Sequence, residues 1–106
     1  MLNKIKNQKP LIHCITNPIS INPCANAVLA LGARPVMAEH PNEVSEITET
    51  ADALLLNIGN ITDVRMKSIQ LSAETACKNN VPFVFDTVGV ACSGFRRKFT
   101  LEFLKN

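Results

Sequence analysis

The sequence predicts an α/β fold: a mostly parallel sheet with helices on both faces. Three observations carry this. Short apolar runs alternate with segments of helical periodicity along the whole chain, in the order β-α-β-α-β-α-β-α. The runs "ALLLNIG" (53–59) and "VPFVFD" (81–86) are apolar without polar alternation, so both faces of those strands need cover. Asn-Pro pairs and glycines fall at the boundaries between runs, where the chain must turn. At 106 residues the chain, 1–106, is one domain at most, with a modest core.

After a basic lead, "LIHCIT" (11–16) reads as a strand through its β-branched Ile12 and Ile15. Asn17-Pro18 breaks it, because a residue before proline avoids the helical region. Asn22 then offers an N-cap with Pro23 at the first helical position, and "CANAVLALG" continues as a short, buried, nearly all-apolar helix ending at Gly32. "RPVMA" (34–38) is a second strand. "PNEVSEITETAD" predicts a helix capped by Asn42, with Glu43 and Glu46 near its positive end and Val44, Ile47 and Ala51 as its apolar stripe. The third strand is "ALLLNIG". Thr62 or Asp63 caps the next helix, whose Met66, Ile69, Ala73 and Ala76 face the core and which stops at Asn79 and Asn80. "VPFVFD" is the fourth strand, and "FRRKFTLEFLKN" a closing helix with Phe95, Phe99, Leu101 and Phe103 turned inward.

Composition removes several classes of function. The hydrophobic share of 46% and formal net charge of +2 describe a globular chain. Lys4, Lys6 and Lys9, like Arg96, Arg97 and Lys98, have no interleaved aromatics to stack bases, so they read as solvated faces and no nucleic acid is expected. No apolar stretch approaches the roughly 20 residues of a membrane span, and the start lacks a signal-peptide block, which predicts a cytoplasmic protein with no membrane partner. Cys14, Cys24, Cys77 and Cys92 show no zinc-ligand spacing and read as buried free thiols. "NIT" (60–62) matches a glycosylation acceptor but has no secretion signal beside it.

Ligands of a parallel sheet collect at the carboxyl ends of its strands. Those ends here are Thr16-Asn17, Met37-Ala38, Asn57-Ile58-Gly59 and Asp86-Thr87-Val88-Gly89. Together they predict a polar-rimmed pocket on one sheet edge. Each has a plainer reading as well: Asn17 as a turn former, Met37 as core, Gly59 as a turn glycine, Asp86 as the cap of its own turn. His13, inside an apolar strand, reads as a hydrogen-bonded core histidine. No phosphate-binding glycine loop and no nucleophile elbow is present, so spacing alone ends at a small-molecule α/β domain.

The residues themselves go further. "PLIHCITN", "NPCANAVLALGARPVMA", "ADALLLNIGNIT", "VPFVFDTVG" and "FRRKFTLEFL" resemble, in order and over nearly the whole chain, the hydroxyethylthiazole kinase family. The resemblance implies a ribokinase-like fold, here incomplete, with residues 1–106 as the amino-terminal part of the family's domain. It implies phosphorylation of the hydroxyl of 4-methyl-5-(2-hydroxyethyl)thiazole by ATP, in thiamine synthesis and salvage. Met37 looks like the family's thiazole-contacting methionine, Asn17 a contributor to the same pocket, and Asn57 and Gly59 its wall. Asp86 resembles the aspartate that helps hold magnesium near the ATP phosphates, which suits an ion that takes few protein ligands. The resemblance also implies a homotrimer with sites between neighbours.

Two departures from the family pattern stand out. Thr87 replaces the usual proline, and the following turn carries the bulkier Val90 and Cys92. The family's "IRGN…E" segment and its later glycine-rich anion hole do not occur, so no catalytic residue of the reaction centre is expected in this chain. Phosphoryl transfer rests on positioning and charge stabilisation, and the short chain is expected to be inactive alone. The alternatives are a non-catalytic thiazole-binding module and one half of a split kinase.

Overall fold

The computed structural model describes residues 2–89 and 91–104. The elements run α1 (Leu2–Gln8), β1 (Leu11–Ile15), α2 (Ile21–Ala30), β2 (Arg34–Val36), α3 (Val44–Thr50), β3 (Ala53–Asn57), α4 (Asp63–Lys78), β4 (Phe83–Asp86) and α5 (Gly94–Leu104). The four strands form one sheet in the order β2-β1-β3-β4, and every pairing is parallel. The expected α/β class and strand sequence hold. The strands are shorter than the apolar runs, because the ladder stops before Thr16, Met37 and Ile58 and starts only at Phe83.

Register and the two-residue period of strands assign the faces. His13 and Ile15, Leu54 and Leu56, and Phe83 and Phe85 share one face. Helices α3, α4 and α5 cover it, and the core lies there: Ile15, Val44, Leu54, Leu56, Ile58, Ile69, Ala73, Ala76, Phe99 and Phe103. Phe103 stacks edge-on to Phe85 with centroids 4.4 Å apart. The opposite face carries Cys14, Leu55 and Val84, and α2 lies on it, bringing Cys24 beside Cys14. The β4 end of that face is open: Val84 is 65% exposed.

Helix α4 forms as the sequence requires. Thr62 caps it, its hydroxyl accepting from the Arg65 amide at 3.2 Å, and Asp63 sits in the first turn. Ile69, Ala73 and Ala76 are buried, and Met66 packs against them. Ser93 plays the same capping part for α5, accepting from the Arg96 amide.

Several expectations are corrected. Helix α1 forms within the basic lead, and Lys6 lies against Gly32 at the end of α2. Helix α2 begins at Ile21, two residues before Pro23, which stays harmless because first-turn amides have no helical acceptor. Its cap residue is Ser20 rather than Asn22. Far from being a buried helix, α2 has no buried residue, and Ile19, Leu29 and Leu31 around it are exposed. Glu43, not Asn42, precedes α3 as its cap residue. In α5 only Phe99 and Phe103 of the four apolar positions turn inward, while Phe95 and Leu101 face solvent. Only Cys14 is buried; Cys24 is half-buried, and Cys77 and Cys92 are exposed. Val90, one of the departures noted in the last loop, lies outside the described residues.

Candidate functional site

The chain order creates a crevice. It leaves β1 toward β2 on one side, then returns to place β3 on the other side of β1. The helix after β1 lies on one face of the sheet and the helix after β3 on the other, so the loops leaving these two strands part. That is the switch point where open parallel sheets bind ligands.

Four of the expected site residues meet there. Gly59 is buried, and a Cβ on it would lie 2.7 Å from Asn17 Nδ2, 2.9 Å from Asn57 Oδ1 and 3.1 Å from Val88. Only a glycine lets both carboxamides come this close. Asn57 Oδ1 accepts from the Gly59 amide at 2.6 Å, and Asn57 Nδ2 donates to Asp86 Oδ2 at 3.3 Å. The side chains of Asn17, Asn57 and Asp86 thus form one row around Gly59. Asn17 also holds the turn into α2, its Oδ1 accepting from the Ser20 amide at 3.1 Å. It is therefore both the turn former and a member of the row.

Met37 is half-buried just past the end of β2. It lies at the same carboxyl end of the sheet as the other four, and the peptide carbonyl that follows it is fixed. His13 is fully buried, with Nε2 2.8 Å from the Ala38 carbonyl and Nδ1 2.8 Å from Thr48 Oγ1. The carbonyl can only accept, so Nε2 carries the proton and Nδ1 takes the Thr48 hydroxyl hydrogen. Burial holds the imidazole below its ordinary value of 6.5 and outweighs the opposing Ala38 carbonyl and Glu43 charge. This is the hydrogen-bonded core histidine that the sequence suggested.

Asp86 is exposed, and its carboxylate accepts from the Asn57 amide across the strand ends. The turn is held by Arg96, whose Nη1 donates to the Val88 carbonyl at 3.3 Å. Gly89 there has φ +81°. No group of three His, Cys, Asp or Glu able to hold a metal occurs among the described residues. The Cys14 thiol is pushed up to about 11 by burial, with Cys24 adding to the rise, which makes it chemically quiet at neutral pH.

One residue of the rim escaped the sequence reading. Arg65 is 3% exposed, and its guanidinium donates to the Thr16 carbonyl at 3.3 Å and the Asn60 carbonyl at 2.5 Å. Its Nε lies 3.9 Å from a Glu39 carboxylate oxygen. The signal was present: Arg65 is in phase with Ile69 and Ala73, four and eight residues on, within the apolar stripe.

Comparison with known proteins places these features. Residues 2–106 match the model of the hydroxyethylthiazole kinase family. The chain is 58% identical over 100 residues to "Hydroxyethylthiazole kinase 2" of Clostridium botulinum strain Langeland, covering 94% of this chain and 38% of that protein. It is 51% identical over 102 residues to a hydroxyethylthiazole kinase of Finegoldia magna, covering 96% and 38%. The solved structure of a hydroxyethylthiazole kinase protein from Pyrococcus horikoshii superposes with a TM-score of 0.93 at 39% identity, over 98% of this chain and 41% of that one. The chain thus spans well under half the length of the relatives it matches. No helix among the described residues is long and apolar enough to cross a membrane.

Proposed function

Because the chain belongs to the hydroxyethylthiazole kinase family, we propose that it forms the substrate-pocket part of an ATP-dependent kinase acting on 4-methyl-5-(2-hydroxyethyl)thiazole, in thiamine synthesis and salvage. The observation that carries this reading is the close approach of Asn17 and Asn57 over Gly59 at the switch point, with Asp86 joined to the same row. Two carboxamides and a side-chain-free floor suit a small, flat, neutral heterocycle better than a charged ligand. Met37 and the peptide beside it would border the ring.

In the reaction the substrate hydroxyl oxygen would bond to the γ-phosphorus as the bond to the ADP oxygen breaks, the hydroxyl proton passing to water. The part of this chain is to bind and orient the alcohol, and to offer Asp86 on the phosphate side. Asp86 fits magnesium: one exposed carboxylate, with no further acidic cluster among the described residues, matches an ion that keeps several waters. When bound, magnesium neutralises charge on the ATP phosphates. Asn57, by donating to Asp86, would aim that carboxylate. By the family resemblance the donor-binding segment and anion hole belong to the unmatched part of the relatives, so the chain alone is expected not to turn over. The family resemblance implies a homotrimer for the whole enzyme, in which a neighbouring subunit would cover the exposed apolar side chains of Ile19, Leu29 and Leu31, and the same reading makes it cytoplasmic.

The split-kinase alternative draws on a separate observation. Strand β4 is a sheet edge, and beside it a groove of about 510 Å³ is lined by Phe83, Phe85, Phe103 and Leu104. A carboxyl-terminal partner polypeptide would add a strand there. Calorimetric titration with the thiazole alcohol tests the pocket, and saturable heat is expected. Absence of heat at millimolar alcohol would overturn the reading. Phosphorylation by a mixture with the remaining part of the Clostridium relative, and not by either piece alone, is the outcome for a split enzyme. Binding without turnover in that mixture indicates a non-catalytic module.

A further inference from the structure

We propose that Arg65 is the positioning residue of the strand-end rim, coupling the loops after β1, β2 and β3 so that they behave as one body. The inference rests on the functional reading above only for what the rim holds. The β1 and β3 loops are held by hydrogen bonds and the β2 loop by charge. Nη1 donates to the Thr16 carbonyl, next to Asn17, and Nη2 to the Asn60 carbonyl, next to Gly59. Nε donates to Thr62 Oγ1 at the start of α4, and the half-exposed Glu39 carboxylate, two residues past Met37, forms an ion pair with it at 3.9 Å. The flat guanidinium presents its N–H groups in a fixed fork, so one side chain can fix the relative placement of two carbonyls from separate strands. A lysine ammonium on a flexible stem cannot.

Stability alone does not account for this residue. Arg65 is the third residue of α4, where a cation opposes the helix dipole, and it is buried in a stripe of small and apolar residues, Ser68, Ile69, Ser72, Ala73 and Ala76. An apolar side chain fits such a stripe, and buried ion pairs are often replaceable by apolar groups without loss. What an apolar residue could not do is join three loops. The β2 loop is held from further sides as well. Ser68 of α4 donates to the Glu39 carbonyl, and His13 of β1 donates to that of Ala38. The loop carrying Met37 is thereby tied to both its neighbours, and Arg65 closes the connection to Asn17 and Gly59.

The test is amide hydrogen exchange on the full chain, comparing the native sequence with Arg65→Lys and Arg65→Gln, together with calorimetry using the thiazole alcohol. In Arg65→Lys, exchange at residues 16–17, 38–39 and 59–60 should rise together, roughly tenfold, while Cys14 and Leu55 in the strands keep native protection. Alcohol binding should weaken by about tenfold. Glu39→Gln, which leaves the two carbonyl bonds intact, should loosen residues 38–39 alone. Native exchange at all three loops in Arg65→Lys would overturn the proposal, as would a rise at one loop only or an equal rise in the strands. If Arg65→Gln does not fold, the lysine variant still decides. If the native chain binds no alcohol, the functional reading fails while the exchange pattern still judges Arg65.

Discussion

The side-chain amide of Asn57 donates to the carboxylate of Asp86 across 3.3 Å, joining the ends of β3 and β4 at paired positions of the ladder. Since the Asn57 oxygen is held by the Gly59 amide, Asn57 presents its own amide to Asp86 from a fixed position on β3. Asp86→Asn keeps an acceptor for Asn57 and removes the charge. The fold should therefore be unchanged within about 0.5 kcal/mol, as for exposed substitutions generally. Broadening of amide signals near residue 86 by Mn²⁺, used in place of magnesium, should be present in the native chain and absent in the variant. Thiazole affinity should stay native. Equal broadening in both proteins would return Asp86 to a structural role.

Gly59 carries the opposite kind of sensitivity. Its φ is not positive, so the demand for glycine is purely one of space: a methyl group would collide with Asn17 and Asn57 together. Gly59→Ala should destabilise the chain by about 1–3 kcal/mol, the usual cost of overpacking. The displaced carboxamides should also remove most thiazole binding. Urea unfolding measures the first effect and calorimetry the second. A variant of native stability and native affinity would show that the two Asn side chains do not need this approach.

Much of this was legible because parallel, doubly covered strands leave an unbroken apolar signature, and their carboxyl ends are then known. Asn17, Met37, Asn57, Gly59 and Asp86 follow from that rule together with the family resemblance. The phase of Arg65 with Ile69 and Ala73 signalled its burial but not its place in the rim, because its partners Thr16, Glu39 and Asn60 come from three separate strand ends and no local pattern announces them. Helix α2 misled for the converse reason. An apolar run signals that cover is wanted, yet Ile19, Leu29 and Leu31 find none within this chain. In α5 the pattern overcounted: a helix packed against one sheet edge buries a single stripe, which holds Phe99 and Phe103 but not Phe95 or Leu101.

The four thiols should separate by reactivity. Cys77 and Cys92 are exposed, Cys24 is half-buried, and Cys14 is buried with its ionisation pushed up to about 11. Since the thiolate is the reacting form, a disulfide reagent at pH 8 should modify Cys77 and Cys92 first and Cys24 more slowly. Cys14 should react only at the rate of unfolding. Mass spectrometry of the labelled chain reads the order directly, and early modification of Cys14 would contradict the packing of α2 on β1.

His13 makes stability depend on pH in a defined direction. In the unfolded chain the imidazole takes a proton near 6.5, whereas in the fold burial keeps it neutral to lower pH. Below 6.5 the unfolded state therefore binds more protons, and protonation favours unfolding. The stabilising contribution of neutral His13 is complete above 6.5 and is lost as pH falls toward its folded value. His13→Gln removes the titration while leaving an amide that can donate to Ala38. At pH 7.5 the native chain should be the more stable by about 1–3 kcal/mol, since Thr48 loses its acceptor and the packing is disturbed. Between pH 6.5 and 5 that advantage should shrink, because only the native chain carries the His13 penalty, whereas carboxylate effects and His40 are common to both. Urea titrations of the two proteins at matched pH measure the difference. An advantage constant from pH 7.5 to 5 would mean that His13 titrates alike in both states, and that the neutral tautomer assigned from Ala38 and Thr48 is wrong.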